Sequence, residues 1–197
     1  MTQPRTLRTR ANLVRAALDL FEAKGFEATT VAQIAEAAGV SQMTFFRHFP
    51  TKESVVVTDP YDPMIAAAVV AQPRGLPPIE RVRLGFLVAL ARIDAVEGDE
   101  VRRRVALAAR TPALRAATGA GTHDTEDAVA DALVADGADP LEARVAAAAC
   151  VAAMTAALLA WPASDTSESL GEIGRRALDH LALAGTTLAP ADPTTEA

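Results

Sequence analysis

Cysteine occurs once in the 197 residues, at Cys150, so the chain forms no internal disulfide and no cysteine-based zinc site. Aromatic residues make up only 4%, with a single Tyr and a single Trp, and no asparagine follows residue 56. Polar ligand recognition is therefore sparsely equipped over most of the chain. Strand signals are also scarce, since Val55-Val56-Val57 is too short to defend. His48, His123 and His180 lack metal-ligand spacing, and His123-Asp124 with Glu126 reads as a solvated helix face. Nothing resembles a nucleophile elbow, a phosphate loop or a zinc-hydrolase helix, so neither catalysis nor a cofactor has positive support. We expect no membrane span and no signal-peptide core behind the basic start, which leaves a soluble cytoplasmic protein as the default.

What is abundant is alanine, at 45 residues, within a hydrophobic fraction of 50%. Small, strong helix formers thus build much of the apolar half, enough for a core and too much for general disorder. The net charge of -6 is unevenly spread: residues 1–55 carry +2 and residues 56–197 carry -8. A polyanion is attracted to the first segment and repelled by the second.

Helix punctuation recurs throughout. Leu13, Ala16, Ala17 and Leu20 follow helical spacing up to a stop at Gly25. Thr30 can cap a short helix carrying Val31, Ile34, Ala35 and Ala38. Gly39-Val40 forms a turn, Ser41 caps a third helix ending near Phe49-Pro50, and Thr51 begins a fourth with Lys52-Glu53 in its first turn. Farther on, Asp62-Pro63, Thr111-Pro112 and Asp139-Pro140 read as a cap followed by Pro at the first helical position. Helices are expected near 63–72, 78–96, 99–110, 112–136, 140–161 and 167–185, giving about nine to ten in an all-α fold. Residues 186–197 are expected to be a disordered tail.

The informative stretch runs from Thr29 to Phe49: a short helix, a glycine turn and a second short helix, the helix-turn-helix arrangement. Phe45 and Phe49 lie four apart and face the core together, whereas Met43, Thr44 and Arg47 project roughly the other way. A recognition helix presents its N-terminal end to the major groove, placing Gln42, Met43 and Thr44 nearest base edges. Gln pairs with adenine, and Met43 or the Thr44 methyl can touch a thymine methyl. Phe46, Arg47 and His48 would flank the groove walls. Arg5, Arg8 and Arg10 are either a DNA-contacting arm or a solvated, frayed terminus.

Over residues 8–56 the sequence resembles the TetR family of transcriptional regulators. The resemblance rests on Ala23-Lys24-Gly25-Phe26, Thr29-Thr30-Val31, Ile34-Ala35, Ala38-Gly39-Val40-Ser41, Thr44, His48-Phe49 and Lys52-Glu53. It implies a helix-turn-helix DNA-binding domain over 1–56, with Thr30, Ser41, Gln42, Met43, Thr44, Phe46, Arg47, His48 and Lys52 at double-stranded DNA. It also implies a helical effector-binding and dimerisation domain over 57–185. Phe46 stands where the family commonly has Tyr, which removes a phosphate hydrogen bond. Lys52 looks like the family's phosphate-clamping lysine. Phe49-Pro50-Thr51-Lys52-Glu53 and Asp59-Pro60-Tyr61-Asp62-Pro63 resemble actinobacterial members, some of which sense acyl compounds.

In the body, Val145, Ala149, Ala152, Ala156 and Leu159 line one side of a helix, and Leu170, Ile173, Ala177 and Leu181 form a second seam. Either seam could be buried within one protomer; the resemblance implies that both pair with a second copy in a homodimer. Candidate effector-pocket residues are Arg83, Phe86, Leu90, Arg103, Val105, Leu133, Met154 and Trp161. The expected effector is small and largely apolar, with Arg83 and Arg103 placed to hold an acidic head such as that of a fatty acid or acyl thioester. Three consecutive arginines, Arg102-Arg103-Arg104, span about 200° of helix, so one must turn inward, to an anionic ligand or to an internal carboxylate. The expected function is a transcriptional repressor released from a near-palindromic operator by the effector; the alternative is an all-α ligand-binding or scaffolding protein that has lost DNA binding.

Overall fold

The computed structural model describes residues 5–58, 60–163 and 168–184. Among them are nine α-helices and no strand: α1 (Arg5–Lys24), α2 (Val31–Ala37), α3 (Gln42–His48), α4 (Ser54–Val57), α5 (Asp62–Val70), α6 (Pro78–Arg110), α7 (Pro112–Ala135), α8 (Pro140–Ala160) and α9 (Leu170–Ala184). The expected tail lies outside the described residues.

Two apolar cores organise these helices. The first joins Leu13, Leu18 and Phe21 of α1 to Ile34, Phe45, Phe49, Val55 and Val56. Leu107 and Ala108 of α6 and Leu114 of α7 complete it. The first core is therefore not closed by residues 1–56 alone. The second core fills the space between α5, α6, α7, α8 and α9.

The expected helices 78–96 and 99–110 are a single helix of 33 residues. Gly98 does not interrupt it, because one interior glycine costs only about 1 kcal/mol. Burial of Val82, Phe86, Leu90, Ile93 and Leu107 along its length outweighs that cost. The fourth helix starts at Ser54 rather than Thr51 and is one turn long. Thr51 and Ser54 cap each other, each side-chain oxygen accepting the other's backbone N–H at 3.2 Å, which holds 51–53 as a turn.

Glycine matters most at two places. Gly39 adopts φ 69, the left-handed conformation that its sharp interhelical turn requires. At Gly85 a Cβ would lie 2.5 Å from Val69 Cγ2 and 2.6 Å from Val69 Cα, so α5 and α6 touch backbone to backbone.

The membrane expectation needs one correction. Residues 145–162 hold no charged side chain, and α8 is long and apolar enough to cross a membrane by length and composition. One of its faces packs into the second core through Ala143, Ala147, Cys150 and Met154. The opposite face exposes Leu141, Val145, Ala152 and Ala156.

Candidate DNA-reading helix and effector cavity

Side-chain caps hold the starts of α2 and α3, and a backbone bond closes the turn between them. Thr30 accepts the Gln33 N–H while the Gln33 side chain accepts the Thr30 N–H at 3.0 Å, which is a capping box. Ser41 accepts the Thr44 N–H at 3.2 Å, and the two hydroxyls lie 3.0 Å apart. Thr44 is thereby turned toward its own cap. The Val40 N–H donates to the Ala35 carbonyl at 2.9 Å, closing the turn.

On α3, Phe45 and Phe49 are fully buried, and the opposite face is open. Met43 is 80% exposed and Phe46 47%, with Gln42 and Arg47 also exposed. Two large apolar side chains thus stand in water on the first two turns, an arrangement that a solvated helix face does not favour. Arg10 of α1 stacks its guanidinium 4.3 Å above the Phe49 ring and donates to the His48 carbonyl at 3.3 Å, so α1 fixes the end of α3. Burial lowers the His48 pKa, and the nearby Arg47 and Arg10 charges lower it further, favouring the neutral ring.

Lys52 is tied into the protein. Its ammonium donates to the carbonyls of Phe26 at 2.7 Å and Thr29 at 3.1 Å, and sits 4.1 Å from the Phe26 ring centroid. It precedes α4 rather than starting it, so it gains no helix N-terminus beside it. Its position locks the approach to α2.

Behind the first core lies a cavity of about 180 Å³. Its walls include Phe86, Leu90, Val105 and Met154, together with Val56 and Val57 of α4, Tyr61, Arg104 and Leu159. Four of the eight pocket candidates stand here. The other four are elsewhere: Arg83 pairs with Glu80 at 2.9 Å and Asp179 at 3.1 Å, tying α6 to α9. Arg103 pairs with Asp19 and Glu22 of α1, Leu133 is fully buried in the second core, and Trp161 closes the corner before α9 by donating to the Glu168 carbonyl at 3.0 Å. Both misplaced arginines lie beside carboxylates, which apolar periodicity does not report. The threonines Thr118, Thr122 and Thr125, also lining residues, recur at spacings of 4 and 3 on α7; that polar stripe was the available signal.

The arginine run resolves into three tethers. Arg102 lies 4.9 Å above the Trp161 ring, Arg103 holds α1, and Arg104 donates to the Val56 carbonyl at 2.8 Å and to the Thr58 carbonyl. Cys150 is buried in the second core, where burial pushes its thiol up to about 12 and keeps it protonated.

Of the two expected dimer seams, Leu170 and Ile173 are buried inside the protomer, Leu181 packs against the same core and Leu159 faces the cavity. The helical repeat cannot distinguish an intramolecular seam from an intermolecular one. Val145, Ala152 and Ala156 are exposed, with Ala149 and Ala177 half-buried.

Comparison with known proteins agrees with this geometry. Residues 13–57 match the N-terminal model of bacterial regulatory proteins of the TetR family, and residues 76–185 match the MftR C-terminal domain model of the same family. TcmR, a helix-turn-helix transcriptional regulator of Streptomyces glaucescens, is 40% identical over 123 residues, 59% of this chain and 54% of TcmR. The match thus spans about half the length of that relative. YvkB of Bacillus subtilis is 44% identical over 48 residues, 24% of this chain and 25% of its own. Among solved structures, the Thermus thermophilus FadR repressor bound to lauroyl-CoA is 25% identical with a TM-score of 0.51, covering 95% of this chain and 100% of that one. SmeT bound to triclosan shares the fold at 19% identity and a TM-score of 0.58, covering 95% of this chain and 99% of that one. The chain belongs to the TetR family of bacterial regulatory proteins, whose members are helix-turn-helix transcriptional regulators.

Proposed function

We propose that the protein is a homodimeric repressor that binds a near-palindromic operator through α3 and is released by a small molecule in the cavity. Residues 1–56 would carry DNA binding and 57–185 effector binding and dimerisation. The observation that carries this reading is the double exposure of Met43 and Phe46 on the helix that follows the glycine turn. Gln42 and Arg47 beside them supply a base-pairing amide and a phosphate-seeking guanidinium. Thr30, Ser41 and Thr44 hold this helix in place, and His48 borders it.

The apolar outer stripe of α8 supports the dimer. A helix that is apolar on both faces is stable in water only when both are covered. Beside the stripe runs a surface groove lined by Ala153, Ala157, Ala160 and Ala177, with Arg176 and His180 at the α9 wall. Two-fold pairing would set the two recognition helices about 34–36 Å apart, one turn of DNA.

Val56 supports effector control, because it belongs to the helix-turn-helix core and to the cavity wall at once. A ligand acts as an inducer only through differential affinity for the DNA-bound and free states. The test is fluorescence anisotropy of the protein on its own upstream intergenic DNA, beside scrambled DNA, across a salt series. Preference of about a thousandfold with a steep salt slope is expected. Equal weak binding to upstream DNA and to a genomic fragment library would overturn the reading.

A further inference from the structure

The cavity walls differ sharply in chemistry. Most of the lining is apolar, but one full positive charge borders it, that of Arg104. Among the described residues no carboxylate pairs with this guanidinium, in contrast to Arg103 beside it, which holds two. Arg104 donates instead to neutral backbone carbonyls, those of Val56 and Thr58, at the C-terminal end of α4. Of the carboxylates near the cavity, Asp62 accepts from the Thr125 hydroxyl at 2.7 Å and Glu97 accepts from Tyr61, while Glu100, whose charge also reaches Tyr61, forms no ion pair with Arg104.

We infer that the effector is a compact organic acid whose anionic group takes Arg104 from the Val56 and Thr58 carbonyls, freeing the end of α4 from α6. This rests on the effector reading above and specifies its chemistry. A carboxylate meets the guanidinium fork with two parallel bonds and an opposite charge, neither of which a lone neutral carbonyl supplies, so the exchange favours the ligand. The acid replaces three hydrogen bonds, to two carbonyls, that hold the end of α4 to α6. Volume sets the size of the apolar part. A dry cavity of about 150 Å³ accommodates benzene, so the 180 Å³ present here suits a body of about one ring.

The probes are benzoate, phenylacetate and their primary amides, with lauroyl-CoA as a long-chain control, titrated into the full chain by calorimetry and into the protein–operator complex by anisotropy. Benzoate or phenylacetate is expected to bind at least tenfold tighter than its amide. That preference should vanish in Arg104→Gln and shrink in Arg104→Lys, which keeps the charge without the planar fork. Acid and amide binding equally, or a preference that survives Arg104→Gln, overturns the inference and leaves the effector reading intact. So does tight lauroyl-CoA binding with no response to the ring acids. Failure of every probe to bind also overturns it. Arg104-dependent acid binding that leaves the operator complex unchanged upholds the ligand chemistry but defeats the effector reading.

Discussion

Arg103 grips Glu22 with two nitrogens, Nε and one terminal amine each 2.8 Å from a different carboxylate oxygen. The pair joins α6 to α1, and so the helical body to the helix-turn-helix unit. The Arg103 bond holds the Glu22 carboxyl below its ordinary range. Both side chains are partly exposed, so solvent screening keeps the value small.

Arg103→Met should therefore cost about 1 kcal/mol or less of stability. Because Glu22 is depressed in the folded chain, the contribution is present above the ordinary carboxyl pKa of 4.5 and is lost as pH falls through the folded value. Urea melts at pH 7 and pH 3.5 should differ less for Arg103→Met than for wild type. An equal pH effect in both would remove this pair from the acid response.

Met43 and Phe46 offer base edges only apolar contact, and the thymine methyl is the apolar feature of the major groove. Replacing contacted thymines by uracil in the operator removes that methyl and leaves base pairing unchanged. Each substitution should weaken wild-type binding several-fold and leave Met43→Ala or Phe46→Ala nearly indifferent at its matching position. Indifference of the wild type would show that these side chains do not read thymine.

Covering the outer stripe of α8 is testable without touching the core. Val145→Glu with Ala156→Glu places two charges on exposed positions. Sedimentation should show monomers with the helical circular dichroism retained, and operator affinity should fall with dimer loss. A dimer that persists would move the interface away from this face.

Gly85→Ala drives a methyl into Val69, whose Cα lies 2.6 Å from the new Cβ. Backbone cannot swing aside as a side chain does, so α5 and α6 must separate. A loss of about 1–3 kcal/mol is expected in chemical denaturation. A neutral result would mean that α5 re-seats freely.

The DNA-reading half was legible because its signals are local: Thr30, Gly39 and Ser41 each define a turn within a few residues of themselves. The body was less so. Alanine on every side of α8 hides which face is inner, and the two helices expected over 78–96 and 99–110 are one continuous helix. Arginine partners come from long-range contacts, such as Arg103 with Glu22, 81 residues apart in sequence. For the same reason the lysine expected to face phosphate turned out to hold the Phe26 and Thr29 carbonyls.

Val56 stands in a party wall between two rooms, the first apolar core on one side and the cavity on the other. Trimming it to enlarge the cavity would leave a void in the first core, and enlarging it would fill cavity space. Under the proposed effector reading, ligand preference and the heat resistance of the helix-turn-helix unit would be coupled at this position. A change of ligand made at Val56 would then call for a compensating change in the first core.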